Sequence, residues 1–468
     1  MGIQSKIIDN DESRLPVLIA TTLSSFLTPL ALSSVNVALP SIGRELSVDA
    51  VVLSWIASSY ILSAAIFLLP FGRLADMFGR KRVFICGTFT FTVSSFLMSV
   101  SGGAETLIGY RILQGIGGAM IFGTGIAILT SVFPAGERGK VLGINVAAVY
   151  LGLSIGPFVG GVLTQHIGWR STFLLNVPFG IIIVIFSIWK VRGEWAQAKG
   201  ESFDLTGAII YSAMLFSIMF GFSRLPESVG LLLICIGMLG AAVFVYWELH
   251  TETPILNIDL LIKNRAFTLS NAAALIHYGA TFAVGFLVSF YLQYIKGLSP
   301  QNTGIILISQ PIVQAMISPV AGRISDRIEP RVVASIGMSI TAAGLFFFVF
   351  IDAATGVLSI VLDLCMLGFG FALFSSPNSN AIMSSVDGRF FGVASSMLAT
   401  MRLLGQMLSM GIAMLIFAAY LGRIGISPAL YPQLLKSIRA AFMVFGFLCI
   451  LGIFASLTRG NVRHNGTP

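Results

Sequence analysis

Four ionisable side chains stand inside long apolar stretches of this 468-residue sequence. Placing such a group at the centre of a bilayer costs roughly 2.5–3.5 kcal/mol by insertion scales, so each needs a reason to be there. Arg111 lies in the run from Leu107 to Gly118. A guanidinium there either bonds free carbonyls and snorkels to an interface, or acts as a cavity charge that tunes a proton site or holds an anion. Asp363 is the acid set deepest in an apolar run. It can bind and release a proton if it faces a cavity, or it can lie near a surface beside Asp352. His277, next to Tyr278, is of the type that titrates near neutral pH; a packed, hydrogen-bonded imidazole is the alternative reading. Arg402 is expected to satisfy polar groups near the inner side. Asn36, Tyr60, Gln293 and Gln310 are candidate cavity-lining groups, each of which could instead bond helix to helix.

These residues need elements that cross a membrane. The chain is 56% hydrophobic and 10% charged, against roughly 25% charged in soluble proteins. Its mean hydropathy is +0.91. No water-soluble core could bury so much apolar surface. A span takes roughly 20 apolar residues, and fourteen such stretches are present. They run near 15–39, 50–71, 83–101, 106–132, 139–163, 171–190, 203–222, 229–247, 266–294, 302–322, 332–351, 356–376, 390–419 and 438–457. The expected fold is therefore an all-α polytopic membrane protein.

The stretch Gly72 to Arg82 reads as a short hydrophilic loop between two spans, and Gly322 to Arg327 repeats its beginning. Aligning Gly72 and Asp76 with Gly322 and Asp326 maps the first six spans onto the last six. Both copies face the same side, which makes a parallel repeat about an axis normal to the membrane. The expected division is a tail at 1–14, a six-helix bundle at 15–190, two inserted helices with linkers at 191–265, a second six-helix bundle at 266–457 and a tail at 458–468. Lys and Arg distribute at roughly 19 against 7 between the two sets of loops, which places both termini in the cytoplasm. The polar stretch Met1 to Arg14 does not resemble a cleaved leader, so the first span is expected to be retained.

The formal charge of +8 belongs to these short loops and makes no groove-binding stripe, so no nucleic acid is expected. Cys86, Cys235, Cys365 and Cys449 fall singly in apolar runs without metal-ligand spacing, so neither a metal nor a cofactor is implied. No phosphate loop, nucleophile–base arrangement or room for a soluble domain is present, which argues against an enzyme.

The order Gly72, Arg73, Asp76, Gly79, Arg80, Lys81 resembles the loop signature G-x-L-A-D-x-x-G-R-K of the major facilitator superfamily. Leu107 to Gly117 resembles its fourth-helix motif L-x-x-x-R-x-x-Q-G-x-G. Gly152, Gly156, Pro157, Gly160 and Gly161 match the fifth-helix motif associated with exporting antiporters; read bare, they are a packing seam with a bend. Asn36 to Pro40, Trp55, Tyr60, Phe203 to Gly207 and Pro377 to Met383, the last placed after span twelve, are similar to the fourteen-helix multidrug:proton antiporter family.

That resemblance implies a secondary active transporter of the plasma membrane. It would export small amphipathic compounds by alternating access, with protons as coupling ion, in the bilayer as a monomer. One position departs from the pattern. The acid usually found about five residues before the first-span asparagine is Ala31 here, so no carboxylate is carried over for a proton or cationic drug. An exporter of an endogenous anionic or lipid-like molecule, and a non-transporting sensor, are the other readings. The resemblance also implies that Asp76 latches onto the start of span thirteen near Phe390, at a positive helix end. Under the repeat, Gly115 and Gly117 map to Gly368 and Gly370, which sets Asp363 level with Arg111 and suggests that the two pair.

Overall fold

The structure, a computed structural model, describes residues 11–460 except 197, 199, 253, 257, 387–390 and 423. The side chains of 11–13, 135–136, 138–140, 259–260, 326 and 391–392 also lie outside it. Among the described residues fourteen helices are long and apolar enough to cross a membrane. They are α1 (Arg14–Leu46), α2 (Ala50–Phe78), α3 (Arg80–Ser99), α4 (Ala104–Val132), α5 (Val141–His166), α6 (Arg170–Lys190), α7 (Leu205–Arg224), α8 (Ser228–His250), α9 (Arg265–Ile295), α10 (Pro300–Ser325), α11 (Pro330–Phe350), α12 (Val357–Ser384), α13 (Val393–Leu421) and α14 (Pro428–Thr458). Helices are forced by the solvent: in lipid each backbone N–H and C=O must find its partner within the segment.

Side chains and proline mark where several helices begin. Asp49 accepts from Val52 N at the start of α2, Asp204 from Gly207 N at α7, and Asn264 from Phe267 N at α9. Pro300 and Pro330 occupy first turns, where the missing N–H costs nothing.

Hydropathy placed the spans and misjudged several ends. α1 continues to Leu46 because its last turn is polar and anchored: Glu45 accepts from Trp169 Nε1 at 2.7 Å and from Arg170. The stretch with Pro428 and Pro432, which lies outside the apolar run at 438–457, opens α14, with proline again in the first turn. Pro377 to Met383, expected after the twelfth span, lies within α12. A proline inside a membrane helix is tolerated where neighbouring helices cover the weakened turn.

The Gly72–Arg82 stretch is not a loop. α2 runs to Phe78 and α3 starts at Arg80, so Gly79 alone makes the corner, at φ +116°. Side chains other than glycine rarely adopt that conformation. We call the membrane face bearing this corner the corner face.

α6 is broken at Leu175, and two further spans are interrupted, α9 at Phe282–Ala283 and α10 at Ile308. Ser409 of α13 accepts from the freed Ala283 N at 3.0 Å. Pro311 follows the α10 break and cannot continue the ladder.

The first six spans pack among themselves, as do the last six; α7 and α8 pair with each other, and α7 lies against α2 and α13. Tyr211 on α7 donates to Ala65 O on α2, and Phe222 fills the space beside Gly411 on α13. Large apolar side chains such as Phe89, Trp189, Leu239, Phe350 and Leu358 point outward, as expected for a surface whose solvent is lipid.

Candidate functional site

At the corner, Asp76 and Arg80 are joined at 2.7 Å one turn apart. Arg80 also donates to Ser131 Oγ at 2.6 Å and Ala127 O at 3.0 Å on α4, so it ties three helices together. A strap after α6 closes over the corner. Arg80 N donates to Trp195 O, Lys81 N to Glu194 Oε1, and Ala198 N to Asp76 O, while Arg73 pairs with Glu201. A Cβ on Gly79 would collide with Glu194. Glu194 and Glu201 carry no motif signal, so only the fold reveals them. Phe390, the expected partner of Asp76, lies outside the described residues.

α5 is held along two faces by the glycines of its motif. Cβ atoms on Gly152, Gly156 and Gly160 would overlap Phe26 O, Ser33 and Ser34 on α1. Small residues at four-residue spacing allow this close approach. Gly161 instead faces Pro300 and Gln301, and Pro157 O packs against Gly304, both on α10 in the other half. The same end carries Asn36 O accepting from Ser289 Oγ at 2.8 Å, Val37 O from Gln293 Nε2 at 2.9 Å, and Pro40 O from Tyr294 at 3.3 Å. His166 and Gln301 meet there as well. The two halves are therefore clamped on the face opposite the corner, with Asn36 and Gln293 inside the clamp.

Deeper between the halves lies a polar-aromatic cluster. Tyr150 of α5 bonds Ser375 of α12 at 3.0 Å. Tyr278 of α9 lies beside Ser375 and Arg402. The Arg402 guanidinium sits 5.0 Å over the Tyr278 ring, within cation–π range. Arg402 is placed in the interior, and Tyr150 and Ser375 join it unannounced by any sequence signal. His277 is fully buried against Phe374 at 4.0 Å and Phe371 at 4.9 Å, and neither ring nitrogen has a partner. Gln310 lies half-buried after the α10 break, its carbonyl against Gly368.

The expected pairing of Arg111 with Asp363 is not made. Arg111 donates to Ile56 O at 3.0 Å and Gln114 Oε1 at 2.6 Å, with Ala57 O at 3.5 Å. Its guanidinium lies 4.8 Å over the Tyr60 ring. Gln114 in turn donates to Ser95. The charge is spent on α2 and on Gln114 of its own helix, within its own half. Asp363 turns towards α11, with Oδ1 buried, unpartnered and beside Gly344. Equivalent depth in two related helices did not bring them together, because a one-residue offset rotates a helical side chain by a large angle.

This arrangement of fourteen spans, two clamped halves and an interior lined by arginine and tyrosine is that of a membrane transporter. The chain belongs to the major facilitator superfamily, whose sequence profile matches residues 21–248 and 270–467. It is 31% identical over 431 residues to the riboflavin transporter RibZ of Clostridioides difficile, spanning 92% of each chain. It is 28% identical over 436 residues to the multidrug resistance protein Stp of Mycobacterium tuberculosis, covering 92% of this chain and 79% of that one. With the tetracenomycin C resistance and export protein of Streptomyces glaucescens it shares 29% over 416 residues, 87% and 76% of the two chains.

Among solved structures, a mutant peptide transporter POT in complex with sulfate superposes with TM-score 0.70 at 14% identity, covering 95% of this chain and 98% of that one. The human organic anion transporter MFSD10 gives 0.62 at 15%, covering 96% and 100%. At those identities the likeness concerns the fold. The chain is a transporter and not an enzyme.

Proposed function

We propose that this transporter exports small amphipathic compounds from the cell, coupled to protons, by rocking its two halves about the Tyr150–Ser375–Tyr278–Arg402 cluster. The observation that carries the reading is the use of α5 on two faces. One row of glycines seats it on α1 while Pro157 and Gly161 bear on α10, so a bend in α5 changes the contact between halves. The fifth-helix motif and the named exporters among the relatives support the outward direction. With the arginine-rich corner in the cytoplasm of a plasma-membrane protein, the clamp lies outside and the interior opens inward.

A second reading, export of an anionic or acid-bearing ring compound, is favoured by Arg402 on Tyr278 and by Ala31 in place of an acid. Proteoliposomes under an imposed pH gradient, loaded in turn with cationic, neutral and anionic amphiphiles, test both. Proton movement that follows one charge class supports coupling and selects the substrate. Flux of no compound under any gradient removes the proposal.

A further inference from the structure

Two buried acids sit at the base of the α7–α8 pair, away from the cluster between the halves. Asp204 is 8% exposed and Glu248 4%. Asp204 precedes α7, and Glu248 lies in the last turn of α8. A Cβ on Gly207 would stand 2.8 Å from Glu248 Oε1 and closer still to Asp204 Oδ2, so both oxygens border one small space. Glycine at 207 leaves that space open.

The partners of the two groups differ. Asp204 accepts from Gly207 N at 2.8 Å, and Trp247 Nε1 reaches both its oxygens, at 3.1 and 3.0 Å. It also occupies a helix N-terminus, where the peptide dipoles favour a negative charge. Asp204 is therefore equipped as an anion. Glu248 accepts from Leu256 N at 2.9 Å through Oε2, while its Oε1 is buried without a partner. An ionised carboxylate with one oxygen unsolvated beside a second carboxylate is disfavoured twice, by desolvation and by like charge.

We propose that Asp204 and Glu248 form a proton-binding site, in which Glu248 carries one proton on Oε1 and donates it to Asp204 Oδ2. This arrangement satisfies Oε1 and leaves the pair with one negative charge, where two would repel. Among the described residues, Asp204 is the charged group facing Glu248 from α7, the Trp247 indole faces Asp204 from α8, and the amide of Leu256 comes from the segment leading to α9. The shared proton thus fastens the segment entering the second half to the α7–α8 pair. The strap from Glu194 to Glu201, which leads into Asp204, closes the corner at Asp76.

The test uses the full chain in lipid nanodiscs and infrared spectra titrated in heavy water. The spectrum at neutral pH, wild type minus Glu248→Gln, is expected to contain a protonated-carboxyl band and no ionised one. Asp204→Asn keeps the cap and the Trp247 bond yet removes the like charge and the better acceptor. It is expected to weaken proton binding at Glu248 at least about tenfold, read as a band midpoint at lower pH. Glutamine at 248 can accept from Leu256 N and donate to Asp204, so melting of Glu248→Gln should match wild type, whereas Glu248→Ala melts lower. An ionised band lost in Glu248→Gln, or a midpoint unmoved by Asp204→Asn, would overturn the proposal. So would a melting rise with sodium or calcium chloride at fixed pH that Glu248→Gln abolishes, which would make the site a metal site.

Discussion

Asp76 accepts a hydrogen bond from Arg80 Nε at 2.7 Å across the Gly79 corner, and the same arginine reaches Ser131 on α4. The corner is thus a junction of α2, α3 and α4 that the Glu194–Glu201 strap covers. Arg80→Ala removes three donors' worth of contact. Charge-assisted bonds contribute about 1.5–3 kcal/mol each when broken in place. A clear fall in melting temperature is expected, and melting unchanged from wild type would contradict the junction.

Asp76→Asn keeps an acceptor for Arg80 but drops the charge that the family resemblance assigns to a latch. The expected outcome is a population shifted towards the conformation open at the corner face, with melting nearly unchanged. Thiol-labelling rates of single cysteines introduced on that face check it. Rates equal to those of the parent would leave Asp76 with its junction role alone.

Arg111 serves α2 with a planar fork, which lysine cannot reproduce. Arg111→Lys is expected to lose the simultaneous contacts with Ile56 O and Gln114, destabilising by about 1.5–3 kcal/mol. Transport should fall with the folded fraction. If folded Arg111→Lys protein showed normal stability but altered substrate charge preference, Arg111 would be a cavity charge after all.

The two faces of α5 separate in mutation. Gly156→Ala drives a methyl into Ser33 within one half and should cost about 1–3 kcal/mol of stability, as overpacking does. Gly161→Ala wedges α5 from Pro300 across the halves, so it should instead favour opening at the face opposite the corner. Equal stability loss with no change in accessibility for both variants would remove the distinction.

Asp363 has a buried oxygen without a partner and no arginine beside it among the described residues. Asp363→Asn is expected to preserve folding and substrate counterflow while lowering pH-gradient-driven flux at least about tenfold, a barrier change of roughly 1.4 kcal/mol. Gradient-driven flux equal to wild type would take Asp363 out of coupling.

Class, span number and family were legible in the sequence, because bilayer thickness writes itself as apolar length and because the Gly72–Arg82 order is specific. Span ends were less legible. Glu45, Pro428 and Pro377 look like terminators to a hydropathy window, yet tertiary contacts carry the helices past them. The glycine spacing of α5 announced close packing, but which glycine meets α1 and which meets α10 depends on helix rotation.

Rotation also decided Arg111 and Asp363. A residue's depth follows from counting along a helix, whereas its partner follows from the direction it points, which neighbouring helices set. Tyr150, Ser375, Glu194 and Glu248 are ordinary letters in the chain. They gained partners or lost them only when α5, α12, the strap and the α7–α8 pair were brought together, because hydrogen bonding and desolvation act between segments far apart in sequence.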